Sequence, residues 1–322
     1  MKRRGGRRTR RGRRGGFALI TVIWGLGVIA LLVLGFVAAA RLRAQIAGNI
    51  NGAAQAGALA EAAVNIAILD LVAAVNAPAA NAARFPRDGE PVFCTLPQGA
   101  AAALAVEDEG GKVDINAAPK PLLAQLLTGF GAEARSADEI AAAIITFRSP
   151  PANSLGADDR EYAQAGLGYG PKHAPFQSTL ELDQVLNVPQ DLFRAVLPFV
   201  TVYSRQPAVN TRLAPPALLA ALAGEPADVV QALAERPYPN DLDRNDPRLR
   251  RSQGAPAITG AFLIHAEVLL PNGGFFVREA LVALRAADGA AYAVREWRGG
   301  AAHYRGRLEQ MQGRAGRSAP AC

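Results

Sequence analysis

The sequence predicts an α+β protein: a long N-terminal helix, membrane-embedded over its first part, packed on an antiparallel sheet that carries a large, mainly helical insertion. Three observations predict it. A long uncharged stretch follows a basic leader. A stripe of apolar residues at helical spacing then continues without a break. Two groups of strand-like segments, near residues 92–115 and 258–297, flank a region of helical pattern at 119–236.

The leader, residues 1–16, holds Lys2, Arg3, Arg4, Arg7, Arg8, Arg10, Arg11, Arg13 and Arg14 and no acid. The whole chain of 322 residues carries +7; without those nine, 26 basic residues face 28 acidic ones, a balance of −2. A basic nucleic-acid surface would have to persist in the folded part, and it does not. From Phe17 to Ala40 the chain has 24 residues without a charge, fourteen of them Leu, Ile, Val or Phe. As a helix this stretch spans ~36 Å, enough for a hydrocarbon core of about 30 Å. Those fourteen side chains favour insertion by at most ~4–8 kcal/mol. A secretory signal has a shorter apolar region, so cleavage after the VAAA segment is the weaker reading. Nine basic residues before the span and only Arg41 and Arg43 just after it put the N-terminus in the cytoplasm.

Beyond Arg43, Ile46, Ile50, Ala53, Gly57, Ala60, Val64, Ile68, Leu71 and Val75 recur every three or four residues, one face of a helix. Asn76-Ala77-Pro78 ends it, because Pro restricts the residue before it. Residues 77–91 read as a loop. Val92–Leu96, Ala102–Glu107 and Lys112–Ile115 read as short strands, and Ile258–Leu270, Phe275–Ala286 and Ala290–Trp297 as longer ones, with a bulge near Arg278-Glu279. The insertion holds a weak repeat. Asp114-Ile115-Asn116-Ala117-Ala118-Pro119 and Val209-Asn210-Thr211-Arg212-Leu213-Ala214-Pro215 each place an Asn-containing turn before a proline that opens an apolar helix.

The junction Arg13-Arg14-Gly15-Gly16-Phe17 resembles the type III signal of type IV pilins and type II secretion pseudopilins. That resemblance implies that a prepilin peptidase cuts between Gly16 and Phe17 and N-methylates Phe17. Most pilins carry Glu at the fifth mature position, which here is Thr21; its absence suits a subunit at a filament tip. The Gly-Lys-Val strand with its Asn-Ala-Pro helix entry resembles the general secretion pathway protein K family. So do Phe176-Gln177-Ser178 before a Glu-Leu helix and the returning strand Pro198–Tyr203. The resemblance implies a pilin-like fold divided into leader 1–16, membrane helix 17–40, outer spine 41–76, first α+β part 77–118, helical insertion 119–255, closing strands 256–298 and a disordered tail 299–322. It implies a non-catalytic minor pseudopilin at the tip of a periplasmic pseudopilus, anchored once in the bacterial inner membrane. Its partners would be other minor pseudopilins, the major pseudopilin, the prepilin peptidase and the inner-membrane assembly platform. A minor pilin of a type IV pilus is the alternative.

Asn-Ala-Pro followed by Leu127-Thr128-Gly129-Phe130-Gly131 also resembles a helix-hairpin-helix of membrane-anchored DNA receptors, but Ala132-Glu133 follows where a basic residue is needed. Among catalytic patterns, neither a Gly-x-Ser-x-Gly nor a phosphate loop occurs, and His173, His265 and His303 read as surface or loop residues. Members of the protein K family bind calcium; the candidate ligands are Asp158, Asp159 and Glu161 in the loop 149–175, with Asp241, Asp243 and Asp246 second. Cys94 and Cys322 are an even pair, which an oxidising compartment would allow to bridge. Cys322 closes a polar tail, so the sequence favours two isolated cysteines.

Overall fold

Helix α1 runs from Gly15 to Asn76 as one helix, ending where the Asn-Ala-Pro stop falls. The structure is a computed structural model and describes residues 15–76, 84–151, 157–235, 260–285, 289–313 and 320–322. Two compact units divide it, Met1–Ala54 and Gln55–Cys322, with the boundary inside α1. In the first unit the apolar side chains stand exposed on every side of the helix, Trp24 by 73% and Phe36 by 74%. A helix apolar all round is a membrane span or is covered by partners. Among the described residues, α1 alone is long and apolar enough to cross a membrane.

The second unit follows in the order β1 (Val92–Leu96), β2 (Ala100–Asp108), β3 (Val113–Asp114), α2 (Lys120–Gly129), α3 (Ala134–Arg148), α4 (Ala157–Gln164), α5 (Gln190–Val196), β4 (Val200–Thr201), α6 (Pro216–Ala223), α7 (Ala227–Ala234), β5 (Ala261–Leu269), β6 (Phe275–Leu284), β7 (Tyr292–Arg298) and α8 (Arg305–Gly313). Five strands make an antiparallel sheet in the order β1-β2-β5-β6-β7. Side chains alternate across it. Phe262, Ile264, Ala266 and Val268 of β5 share a core with Ala56, Ala60, Val64, Ile68 and Leu71 of α1. The odd-numbered residues of β5 turn to the other face.

The insertion has its own core, in which Leu123 and Leu127 meet Ile140, Ile144, Val196 and Leu218. Phe147 stacks on Phe176 at 4.8 Å and Phe130 on Phe199 at 4.7 Å. The strand read at Lys112–Ile115 belongs to this body: β3 pairs in parallel with β4, the returning strand. Parallel pairing needs a long crossover, and the helices from α2 to α5 supply it. The insertion therefore starts at the turn Glu109–Gly111, before the expected residue 119.

Three local expectations are corrected. The bulge lies at Leu281/Val282, opposite the extra residue Arg295, not near Arg278-Glu279. Ala157–Gln164, read as loop, is helical, held by Tyr162, which is buried and whose hydroxyl accepts the Leu186 N–H at 3.1 Å. Within the tail read as disordered, Arg305–Gly313 form α8, because Leu308 buries against Ala101, Ala103 and Leu269, while residues 314–319 lie outside the described residues.

Candidate functional site

Gly16 and Phe17 lie in the first turn of α1, and Thr21 is exposed one turn later. Residues 1–14 of the leader lie outside the described residues.

The residues that carried the resemblance converge in space. Asp114 Oδ1 accepts the N–H groups of Asn116 at 2.8 Å and Ala117 at 3.1 Å, while Oδ2 accepts the Ser204 hydroxyl at 3.2 Å and the Arg205 N–H at 2.7 Å. Asn116 clamps Phe176 from both sides, donating to its carbonyl at 2.9 Å and accepting its N–H at 2.8 Å. The Asn-Ala-Pro entry, the Phe-Gln-Ser landmark and the returning strand are thus one junction. Asn210 does what Asp114 does: its Oδ1 accepts the N–H two residues on, and its carbonyl accepts the third and fourth. Asn116 has no such counterpart, since Arg212 stands there.

The first hairpin glycine is used for packing. A Cβ on Gly129 would lie 2.6 Å from Ala221 Cβ and 2.7 Å from its carbonyl oxygen, so only glycine lets α2 approach α6. The N–H groups of Phe130, Gly131 and Ala132 are taken by the carbonyls of Leu126, Thr128 and Leu127. They close the helix end and are not turned toward a phosphate.

Two ionic clusters tie the sheet to what covers its second face. Lys112 Nζ lies 2.9 Å from Glu109 and 3.1 Å from Glu107 of β2. Burial alone would lower the lysine pKa; the two carboxylates outweigh it and hold it above the ordinary value. Tyr203, just after β4, donates to Glu296 of β7 at 2.7 Å.

His265, read from sequence as a surface or loop residue, is 8% exposed on β5. Its Nδ1 donates to Glu279 at 2.9 Å and its Nε2 to Glu267 at 3.0 Å. Burial would push the imidazole down, but the two carboxylates raise it to about 9. Burial likewise opposes ionisation of Glu279, yet His265 and the Arg298 Nε at 2.7 Å pull it to about 2. The alternation that hides His265 was visible, but its carboxylate partners required the strand register. The stabilisation from imidazolium is full below pH 6.5 and is lost as pH rises through about 9. Thermal melts of the full chain should fall across that window, and His265→Gln should flatten the fall. Parallel curves would refute the assignment.

Glu267 also accepts the N–H groups of His303 and, at 3.1 Å, of Tyr304, which lead into α8. Further on, Cys322 is bonded to Cys94, correcting the reading of isolated cysteines. The tail is brought back by pairing with β1: Thr95 N–H donates to Pro320 at 2.9 Å and Cys322 N–H to Thr95 at 3.0 Å. Arg84 donates to the carbonyls of Ala321 and Cys322.

Of the calcium candidates, Asp159 and Glu161 have described side chains. Asp159 and Glu161 stand on α4, where residues two apart point about 200° apart around the axis. Asp158 occupies the same helix, and Asp241, Asp243 and Asp246 lie outside the described residues. Among the described residues no group of three His, Cys, Asp or Glu is suited to a metal ion.

A long N-terminal helix, apolar throughout its first part and packed further on against an antiparallel sheet, gives a pilin-like arrangement in which one helix among the described residues is long and apolar enough to cross a membrane. Residues 102–208 match the family model described as type II secretion system (T2SS), protein K. The whole chain is similar to a chain in the crystal structure of the GspK-GspI-GspJ complex from the enterotoxigenic Escherichia coli type 2 secretion system. The identity is 19%, the TM-score 0.50, and the match covers 81% of this chain and 100% of that one; this likeness bears on the fold. No curated relative matches the chain.

Proposed function

We propose that the chain takes the tip position of a periplasmic pseudopilus and primes its assembly with other minor pseudopilins, in support of export of folded proteins. The carrying observation is the joining of the segment that matches protein K, residues 102–208, to a membrane-length helix that begins at Gly15 and holds the Gly16-Phe17 junction in its first turn. Prepilin peptidase cuts after Gly16 on the cytoplasmic side and methylates the Phe17 amine. The sheet and insertion then lie in the periplasm. Counterparts of GspI and GspJ are the neighbours this reading names. Thr21 supports the tip, since a subunit without a carboxylate there cannot pair with the amino terminus of another subunit.

Co-expression with a prepilin peptidase, followed by intact mass and N-terminal peptide analysis, tests it. The expected product begins at N-methylated Phe17, and Gly16→Val should leave the leader attached. An uncut chain, or one cut after the VAAA segment, would remove the reading.

A further inference from the structure

We infer that the outer edge of β7 is a self-complementary surface on which a second copy of this chain pairs, β7 against β7, antiparallel about a two-fold axis between Arg295 and Glu296. The inference concerns the sheet alone and is independent of leader cleavage and of filament position.

β7 ends the five-stranded sheet, and among the described residues no strand pairs with its outer side. The strand is open to solvent: Tyr292 is 39% exposed and Trp297 45%, and Arg295 and Arg298 are exposed. Opposite residues of an antiparallel pair share a face. Leu284, Val282 and Ala280 of β6 belong to the core shared with α1, so their partners Tyr292, Val294 and Trp297 point to that side. Ala293, Glu296 and Arg298 stand opposite Ala283, Leu281 and Glu279 and point to the other side. Arg295 is the extra residue of the bulge. Its charge acts on Tyr203, whose hydroxyl donates to Glu296, so Arg295 lies on the side of Glu296.

A regular strand alternates strictly, so a pairing centred between two neighbouring residues would set opposite faces against each other. The bulge removes that conflict. From Ala293 to Arg298 the faces run other, α1, other, other, α1, other, which is the same from either end. Antiparallel pairing centred between Arg295 and Glu296 therefore joins like faces throughout. It sets Arg295 opposite Glu296 of the second copy, and Val294 opposite Trp297 of the second copy, each pair occurring twice. Opposite charges, and an aromatic beside a β-branched residue, are favourable cross-strand pairs. Other registers lose this. Parallel in-register pairing stacks Arg295 on Arg295 and Glu296 on Glu296, and an antiparallel shift by two residues sets Arg295 on Arg298. Charges and a bulge on an edge usually keep other chains away; here they admit one register of one partner. The contact is isologous, so it closes as a dimer. Seven residues make a small interface, and the pairing is correspondingly weak.

The test is sedimentation equilibrium of the full chain in density-matched detergent, as wild type, Arg295→Glu, Glu296→Arg and an equal mixture of the two variants. The wild type should dimerise reversibly. Each variant alone sets like charges opposite each other and should associate at least ~10-fold more weakly. The mixture restores both opposite-charge pairs and should regain the wild-type strength, which also shows that both variants are folded. If Glu296→Arg melts low through loss of its bond to Tyr203, Trp297→Lys takes its place: it breaks both Val294–Trp297 pairs and should weaken association as Arg295→Glu does. A monomeric wild type would overturn the inference. Equal association of wild type and Arg295→Glu would do so too, by placing the contact on the apolar length of α1, as would a mixture of folded variants no stronger than its parts.

Discussion

Cys94→Ser with Cys322→Ser should lower the unfolding free energy of the full chain by up to about 5 kcal/mol, the largest single effect expected here. The two cysteines are separated by 228 residues. Cross-linking ends so far apart removes loop-closure entropy from the unfolded chain, and for a loop of this length the chain-entropy value is about 5 kcal/mol. The folded state loses less, since the sheet beneath keeps its pairing. The measured loss should fall somewhat short of that ceiling, because residues 320–322 regain freedom in the folded state once the bond is cut. Denaturant midpoints with and without dithiothreitol give the comparison. The doubly substituted chain should match the reduced one, and a loss below ~1 kcal/mol would mean that the bridge adds nothing to the fold.

Much of the frame was legible in the sequence because it rests on local rules. Helix α1 stops at Asn76, where Pro78 forbids continuation. Pro271–Gly274 makes the β5–β6 turn, with Gly273 at φ +85° as a hairpin glycine should be. Features set by distant partners were not legible. Cys322 looked solitary because its docking depends on Thr95 and Arg84, over 200 residues away. The tail helix has little apolar periodicity and forms around one side chain, Leu308. Asn116 was singled out as half of a repeat, yet its partner is Phe176, while the true counterpart of Asn210 is Asp114. Composition places such residues near turns; only the packed register shows which turn each one closes. The same holds for His265, whose alternation marks a strand position but not the two carboxylates beside it.

Lys112→Met should cost roughly 3–5 kcal/mol, because it leaves a carboxylate buried without its cation. The sequence presents Lys112 only as the middle of a Gly-Lys-Val landmark, and the structure gives it a task. Its side chain is 7% exposed and that of Glu109 is 5%, whereas Glu107 is 38% exposed and keeps some water. Glu109 starts the insertion and Glu107 is the next-to-last residue of β2, so the ammonium joins the helical body to the sheet. Gly111 beside it admits no larger residue, since a Cβ there would lie 2.5 Å from the Leu213 carbonyl oxygen. The joint is thus tight as well as charged, and removing one charge is worse than removing the pair. Lys112→Met with Glu109→Gln should recover more than half of the loss, although Glu107 remains ionised at the surface. Denaturant unfolding of the three variants reads this directly. A single-substitution cost below ~1 kcal/mol, or no recovery in the double variant, would show that the insertion is held to the sheet by its apolar contacts and the Tyr203–Glu296 bond instead.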